Sequence, residues 1–338
     1  MADHDILLSL ENLKTHFFTE NGLVKAVDGV SFDVRRGESV GVVGESGCGK
    51  SVTSLSIMQL IRRPRGDIKG GRIIYRRQDA APIDIAKLDP QGREMRSIRG
   101  NEIAMIFQEP MTSLNPVYTV GSQIMEAVIL HQKLDKRAAK ERAIEMLTRV
   151  RIPAPKQRVD EYPHQFSGGM RQRAMIAMAL SCDPEFLIAD EPTTALDVTI
   201  EAQILRLMKD LQTDLGVSIM IITHDLGVIA EMAERVNVMY TGKVVERAGT
   251  DAIFHDPQHP YTQGLLQSIP TIGLRRRLTP IKGSVPNLLT LPEDVCYFVP
   301  RCPKAMDICR KKEPPMYGLS SEHWCKCWLY EGSEEVSA

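Results

Sequence analysis

Eight consecutive residues, Gly44-Glu45-Ser46-Gly47-Cys48-Gly49-Lys50-Ser51, carry the most legible chemistry in the sequence. They match the pattern G-x-x-x-x-G-K-[ST], a loop type that cradles a polyphosphate. Glycines let the backbone turn tightly enough for successive N–H groups to point inward at an anion. A helix that follows adds the partial positive charge of its N-terminus. Lys50 can then reach the β- and γ-phosphates, and the Ser51 hydroxyl can ligate Mg2+. The required context is present, because residues 39–43 form a short apolar run and residues 52–61 have helical spacing. Cys48 occupies a free position of the loop and is assigned no chemistry of its own.

Two further stretches add to this loop. Phe186-Leu187-Ile188-Ala189-Asp190-Glu191 reads as an apolar strand ending in two carboxylates. Asp190, at the end of the strand, can hold Mg2+ through water. Glu191, one residue on, is placed to polarise a water that attacks the terminal phosphate. Between loop and acids lies Ser167-Gly168-Gly169-Met170-Arg171-Gln172-Arg173, which opens a helix rich in Ala and Met. Ser167 suits an N-cap, and the two glycines leave backbone N–H groups accessible at the helix start.

The elements that must position these groups follow from periodicity. Residues 7–18, 26–34, 72–75 and 103–107 read as strands, with Asn21-Gly22 as a turn between the first two. Residues 120–152 are helical with a charged face at 136–145, and 167–180 form another helix. The buried-strand candidates 186–189 and 218–222 flank an amphipathic helix over 200–215. Strands alternating with helices predict an α/β domain around a largely parallel sheet, with the helical block near 115–180 inserted into it. Prolines become frequent after about residue 250, which predicts a small appended domain.

Composition narrows the function classes. Among 338 residues, 42 Lys and Arg against 43 Asp and Glu give a net charge of −1, so no global field draws the chain to nucleic acid. Apolar runs such as 217–222 fall far short of the roughly 18 residues of a membrane span. The first 30 residues show no basic leader or cleavage site, which argues against a secreted or integral membrane protein. Of seven cysteines, Cys48 and Cys182 stand apart, Cys182 as a packed core thiol, while five fall between 296 and 327. Without a signal peptide, that cluster points to a metal or iron–sulfur centre rather than to disulfides. Arg62-Arg63 and the arginines at 275–277 read as solvated surface charge.

The run at 167–173 resembles the L-S-G-G-Q signature of ATP-binding cassette (ABC) ATPases, with Phe166 in place of the leucine and Met170 in place of the glutamine. The remaining parts occur in the family's order. Gln108 resembles the Q-loop glutamine, Thr194-Ala195-Leu196-Asp197 the D-loop, and His224 the switch histidine. The resemblance implies a P-loop NTPase cassette over 1–250, with a core parallel sheet, an antiparallel β subdomain and a helical subdomain at about 109–182. A small irregular C-terminal domain follows over 251–338. It further implies ATP and Mg2+ as cofactors, with Gly44, Glu45, Ser46, Gly47, Cys48, Gly49, Lys50, Ser51 and Val52 around the nucleotide. Ser51, Gln108 and Asp190 would hold Mg2+, and Glu191, His224, Lys50 and Gln108 would act in hydrolysis. Ser167, Gly168 and Gly169 would bind the γ-phosphate of ATP held by a second protomer, towards which Asp197 also reaches. Phe17 would stack on adenine, with Phe18 as the alternative one register along.

The resemblance continues into the tail. His259-Pro260-Tyr261-Thr262-Gln263-Gly264-Leu265-Leu266, followed by Pro270, resembles the extension of peptide-importer ATPases of the oligopeptide/dipeptide type. So does Cys296-Tyr297-Phe298-Val299-Pro300-Arg301-Cys302-Pro303, with Cys309 and Pro314-Pro315. Members of that group can carry a four-iron four-sulfur cluster on four cysteines. Cys296, Cys302, Cys309 and Cys327 match its spacing, Cys325 leaves the fourth ligand open, and zinc is the alternative metal. The implied function is the ATP-hydrolysing subunit of a di- or oligopeptide importer, or of one for nickel or another small solute. A non-transport mechanical ATPase is disfavoured because the chain has neither a heptad run nor a second cassette. The implied partners are a second, paralogous ATPase subunit, two membrane-spanning permeases and an extracytoplasmic solute-binding protein. The implied location is the cytoplasmic face of the inner membrane.

Overall fold

The computed structural model describes residues 5–78, 80–108, 113–194, 196–268 and 280–336. Ala195 of the expected D-loop, Pro270, the arginines at 275–277 and residues 109–112 at the start of the expected helical subdomain lie outside the described residues. The chain forms two compact units, one of Met1–Val34, Val40–Lys87 and Thr223–Ala338, the other of Arg35–Ser39 and Leu88–Ile222.

The first unit opens with β1 (Ile6–Thr19) and β2 (Gly22–Arg35), then β3 (Ser39–Val43), α1 (Lys50–Ile57), β4 (Gly66–Tyr75) and β5 (Ile83–Asp84). An antiparallel sheet in the order β2-β1-β4-β5 results, with Leu8 opposite Tyr75 and Phe17 opposite Gly66. β4 begins six residues before the apolar run at 72–75. Its leading Gly-Asp-Ile-Lys-Gly-Gly carries almost no hydrophobic pattern, and pairing with β1 holds it in the sheet. All five residues of β3 are buried, the mark of a strand covered on both faces.

In the second unit α2 (Arg93–Ile98) and β6 (Ile103–Ile106) precede the helices α3 (Val120–Gln132), α4 (Lys136–Arg149) and α5 (Gly168–Ala179). β7 (Phe186–Asp190), α6 (Val198–Leu215) and β8 (Ser218–Thr223) follow. β6, β7 and β8 lie parallel, Ile103 beside Phe186 and Phe186 beside Ser218. α6 has a complete local design. Asp197 caps its N-terminus, Gly216 closes it in the left-handed region, and Ile204, Leu205, Leu207, Met208 and Leu211 form one buried stripe.

The first unit resumes with α7 (Leu226–Met232), β9 (Arg235–Tyr240), β10 (Lys243–Gly249), α8 (Thr250–His255) and α9 (Pro260–Gln267). β9 runs parallel to β3, and β10 pairs antiparallel with β9. Gly41 of β3 is required there, since a Cβ would stand 2.7 Å from Ile229 Cδ1. The tail, expected to be irregular, adds three short strands: β11 (Met316–Ser320), β12 (His323–Cys325) and β13 (Glu334–Val336). They continue the order β13-β11-β12-β10-β9-β3, so the tail is welded to the first unit by backbone pairing. Buried Glu246 of β10 reinforces the weld. Its carboxylate accepts from Gln258 N at 2.6 Å, His259 N at 2.9 Å and His323 Nε2 at 2.8 Å. No helix among the described residues is long and apolar enough to cross a membrane.

Candidate nucleotide site

In the first unit the sequence 44–51 folds as its residue types require. It leaves β3, turns through glycines of positive φ, and enters α1 at Lys50. Gly49, the N-cap of α1, has φ 101°, and a Cβ there would collide with the Ala26 carbonyl oxygen, so only glycine serves. The Cys48 carbonyl accepts from Gly242 N at 2.9 Å, which ties the loop to the β9–β10 turn. Lys50 is buried, and its Nζ donates to the Gly44 carbonyl at 2.6 Å and the Glu45 carbonyl at 3.0 Å. A buried ammonium held by two carbonyls is ready to exchange them for phosphate oxygens of higher charge. Ser46 and Gly47 are exposed at the loop's crest, and Ser51 and Val52 are half-buried on the first turn of α1. Cys48 is buried, and that burial raises its thiol pKa, in keeping with an inert packing role.

His224, also in this unit, is exposed between the end of β8 and the Asp225 cap of α7. Phe17 is half-buried with its ring against Gly66, where a Cβ would lie 2.6 Å from Cε1. Phe18 is 49% exposed, with Lys69 Nζ 4.9 Å from its ring centroid.

The second unit carries the acids. Asp190 is buried at the end of β7. Glu191 follows with φ 46°, a conformation that costs a non-glycine residue of order 1 kcal/mol and concentrates at functional sites. Its N–H donates to the Ile222 carbonyl at 2.8 Å, and its Oε2 accepts from Thr194 Oγ1 at 2.9 Å and from Gln108 Nε2 at 2.8 Å. The structure thus brings together Gln108 and Glu191, two of the residues expected to act. Two donors fix this carboxylate in place, in an orientation that suits a group acting on a water. Ser167 caps α5 by accepting from Met170 N at 3.3 Å. Gly168 has open space around its α-carbon, whereas a Cβ on Gly169 would press on Ile200 at 2.9 Å. Asp197 is exposed and accepts from Ile200 N at 3.0 Å.

Three residues to which the sequence reading gave no individual role also bear on these segments. Buried Gln172 of α5 donates from Nε2 to the Pro192 carbonyl, linking the helix that Ser167 begins to the turn after Glu191. Tyr261 and Arg301 of the tail contact Glu45 of the loop. Burial on a helix face could have flagged Gln172. The other two fall within the tail motifs, but no local pattern announces their contact with Glu45, more than two hundred residues away.

Cys296, Cys302, Cys309 and Cys327 are close enough to influence one another's charge. Burial first, and then their mutual repulsion as thiolates, push Cys296 up to about 12 and Cys327 up to about 11. Their sulfur chemistry suits iron or zinc. Yet no three metal-binding side chains among the described residues are arranged to hold a metal ion, so the expected cluster finds no support in this geometry. Cys325 is buried in β12 opposite Glu246 and lies close enough to Cys296 and Cys327 to feel their charge.

Comparison with known proteins agrees with these features. Residues 27–194 match the family described as ABC transporter, and residues 245–309 match the oligopeptide/dipeptide transporter C-terminal region. The chain is 53% identical to the oligopeptide transport ATP-binding protein AppD of Bacillus subtilis, over 97% of this chain and 99% of that one. Against the dipeptide transport ATP-binding protein DppD of the same organism it is 51% identical, over 97% and 96%. Among solved structures, the dimeric bacterial ABC transporter cassette MJ0796 aligns with a TM-score of 0.63 and 26% identity, over 72% of this chain and 99% of that one. The fold is that of an ABC cassette. The chain belongs to the ATP-binding subunits of ABC transporters that carry the oligopeptide/dipeptide C-terminal region, and it is an ATPase of that family.

Proposed function

We propose that this subunit hydrolyses ATP to drive import of di- or oligopeptides, working from the cytoplasmic face of the inner membrane. The observation that supports hydrolysis is Glu191, which follows a buried strand at positive φ and is oriented by Gln108 and Thr194. The peptide cargo is supported by the match of residues 245–309 and by relatives named for dipeptide and oligopeptide transport. Residues 1–250 serve as the cassette and 251–338 as the extension.

Lys50 and the loop N–H groups bind the polyphosphate, with the α1 N-terminus adding its partial charge. Ser51, Asp190 and Gln108 are all oxygen ligands, the donor type Mg2+ takes, and bound there it would offset negative charge on the phosphates. Glu191 orients the attacking water, and His224 contacts the γ-phosphate. Phe17 stacks on adenine. Ser167, Gly168 and Gly169 of one subunit cover the γ-phosphate held by another, assisted by Asp197. The dimeric state of the MJ0796 cassette supports this shared seam. A paralogous second subunit, two permeases and an extracytoplasmic solute-binding protein complete the assembly. For the tail, the proposed ligands of a four-iron four-sulfur centre are Cys296, Cys302, Cys309 and Cys327. That set rests on the spacing of the four cysteines in the sequence.

The test is reconstitution in liposomes with peptide-importer permeases and a peptide-binding protein. Peptide-dependent ATP hydrolysis and uptake are expected. ATPase activity stimulated by nickel and not by any peptide would overturn the cargo, and iron and zinc analysis of an anaerobic preparation decides the tail.

A further inference from the structure

The phosphate loop has an acidic residue at its second position. An unpaired carboxylate there would repel the polyanion the loop is built to hold. The structure shows what offsets it. Arg301 donates from Nη1 to Glu45 Oε2 at 2.5 Å and from Nη2 to Oε1 at 2.9 Å, a bidentate pair. The Arg301 side chain is only 3% exposed. Its third edge is used as well, Nε donating to the Lys282 carbonyl at 3.2 Å, and its guanidinium carbon lies 5.8 Å from the Tyr240 ring centroid.

A second contact from the extension fixes the same residue's backbone. Glu45 N–H donates to Tyr261 Oη at 2.9 Å. Tyr261 is fully buried, its ring 4.6 Å from that of Tyr240 and 5.4 Å from that of Phe298. Phe298 and Arg301 both lie between Cys296 and Cys302, on the short helical turn Val299–Arg301 and its cap. The peptide that Tyr261 holds is the one whose neighbouring carbonyls, of Gly44 and Glu45, receive Lys50 Nζ. Side chain and backbone of one loop residue are therefore set by the C-terminal extension.

We propose that Arg301 is a positioning residue for ATP binding: it neutralises Glu45 and draws its carboxylate aside, so that the affinity of the phosphate loop depends on the extension. This rests on the reading of residues 44–51 as the nucleotide loop, which Lys50→Ala tests by itself. The experiment measures the dissociation constant of a fluorescent Mg-ATP analogue, with kcat, on the full chain. Arg301→Ala is expected to weaken binding roughly tenfold while kcat at saturation changes far less, because the repulsion acts on the bound polyanion before chemistry. Adding Glu45→Gln to Arg301→Ala should recover most of the loss by removing the exposed charge. The penalty of Arg301→Ala should also shrink as ionic strength rises towards about 1 M, where the Debye length falls to about 3 Å. Arg301→Gln, which keeps a stem beside Tyr240, replaces the alanine variant if that one does not fold. Unchanged affinity in the single variant overturns the proposal, as does a double variant no tighter than the single, or a penalty indifferent to salt. If Lys50→Ala binds nucleotide normally, it is the loop reading that fails.

Discussion

Replacing Glu191 by Gln separates chemistry from architecture. The carboxylate accepts both Gln108 Nε2 and Thr194 Oγ1 at a single oxygen, 2.8 and 2.9 Å away. An amide can set its carbonyl oxygen there and keep both bonds, with the amide nitrogen taking the place of the other oxygen. Each bond changes from a charged to a neutral acceptor, a loss of about 1 kcal/mol apiece, so the fold should cost at most about 2 kcal/mol. The backbone at φ 46° is no worse for Gln than for Glu. What disappears is the proton acceptor for the attacking water, and general bases contribute about 10²–10⁴ in rate, equivalent to roughly 3–5 kcal/mol of barrier. Phosphate release at saturating ATP should therefore fall by two to four orders of magnitude, with the nucleotide dissociation constant within about threefold of the parent. A turnover within threefold of the parent would refute the assignment of Glu191. A parallel collapse of binding and turnover would show instead that the residue shapes the turn it opens after β7.

Two further outcomes follow from the weld between tail and cassette. Glu246→Ala strands two backbone N–H groups and the His323 imidazole without their buried acceptor, which at about 1–3 kcal/mol each should cost at least about 3 kcal/mol in denaturant unfolding; a change below about 1 kcal/mol would show that water or a rearrangement satisfies them. His259 is fully buried, its Nδ1 accepts from Tyr261 N, and burial lowers its pKa to about 4. The unfolded chain, titrating near the ordinary 6.5, takes up the proton first. Stability is thus complete above about pH 7 and falls as the pH drops from 6.5 towards 4, by about 3 kcal/mol. His259→Asn keeps a cap without a titrating group and should flatten that slope between pH 7 and 4; an unaltered slope would assign the loss to other groups.

Much of the site is local and so was readable. A tight turn between strand and helix needs glycine at fixed offsets, and a helix start needs Ser167 or Asp197, because the interactions span only a few residues. The boundaries of β1, β3, β7 and β8 follow from their apolar runs for the same reason. β9 and β10 were not anticipated, and the leading half of β4 carries no apolar pattern, so its place is set by β1 alone. The tail strands were missed because each is three to five residues long and is held by pairing, β12 with β10, β11 with β12 and β13 with β11, rather than by its own residues.

Residue types and their spacing were enough to mark a glycine loop of the polyphosphate-binding type and a strand tipped with carboxylates, since those demands are met within a turn or two of backbone. Only the tertiary structure decided which groups orient them. Gln108 meets Glu191 across 83 residues, and Arg301 reaches Glu45 across 256. Such contacts are fixed by how sheets and helices pack, where no periodicity in the chain records the partner.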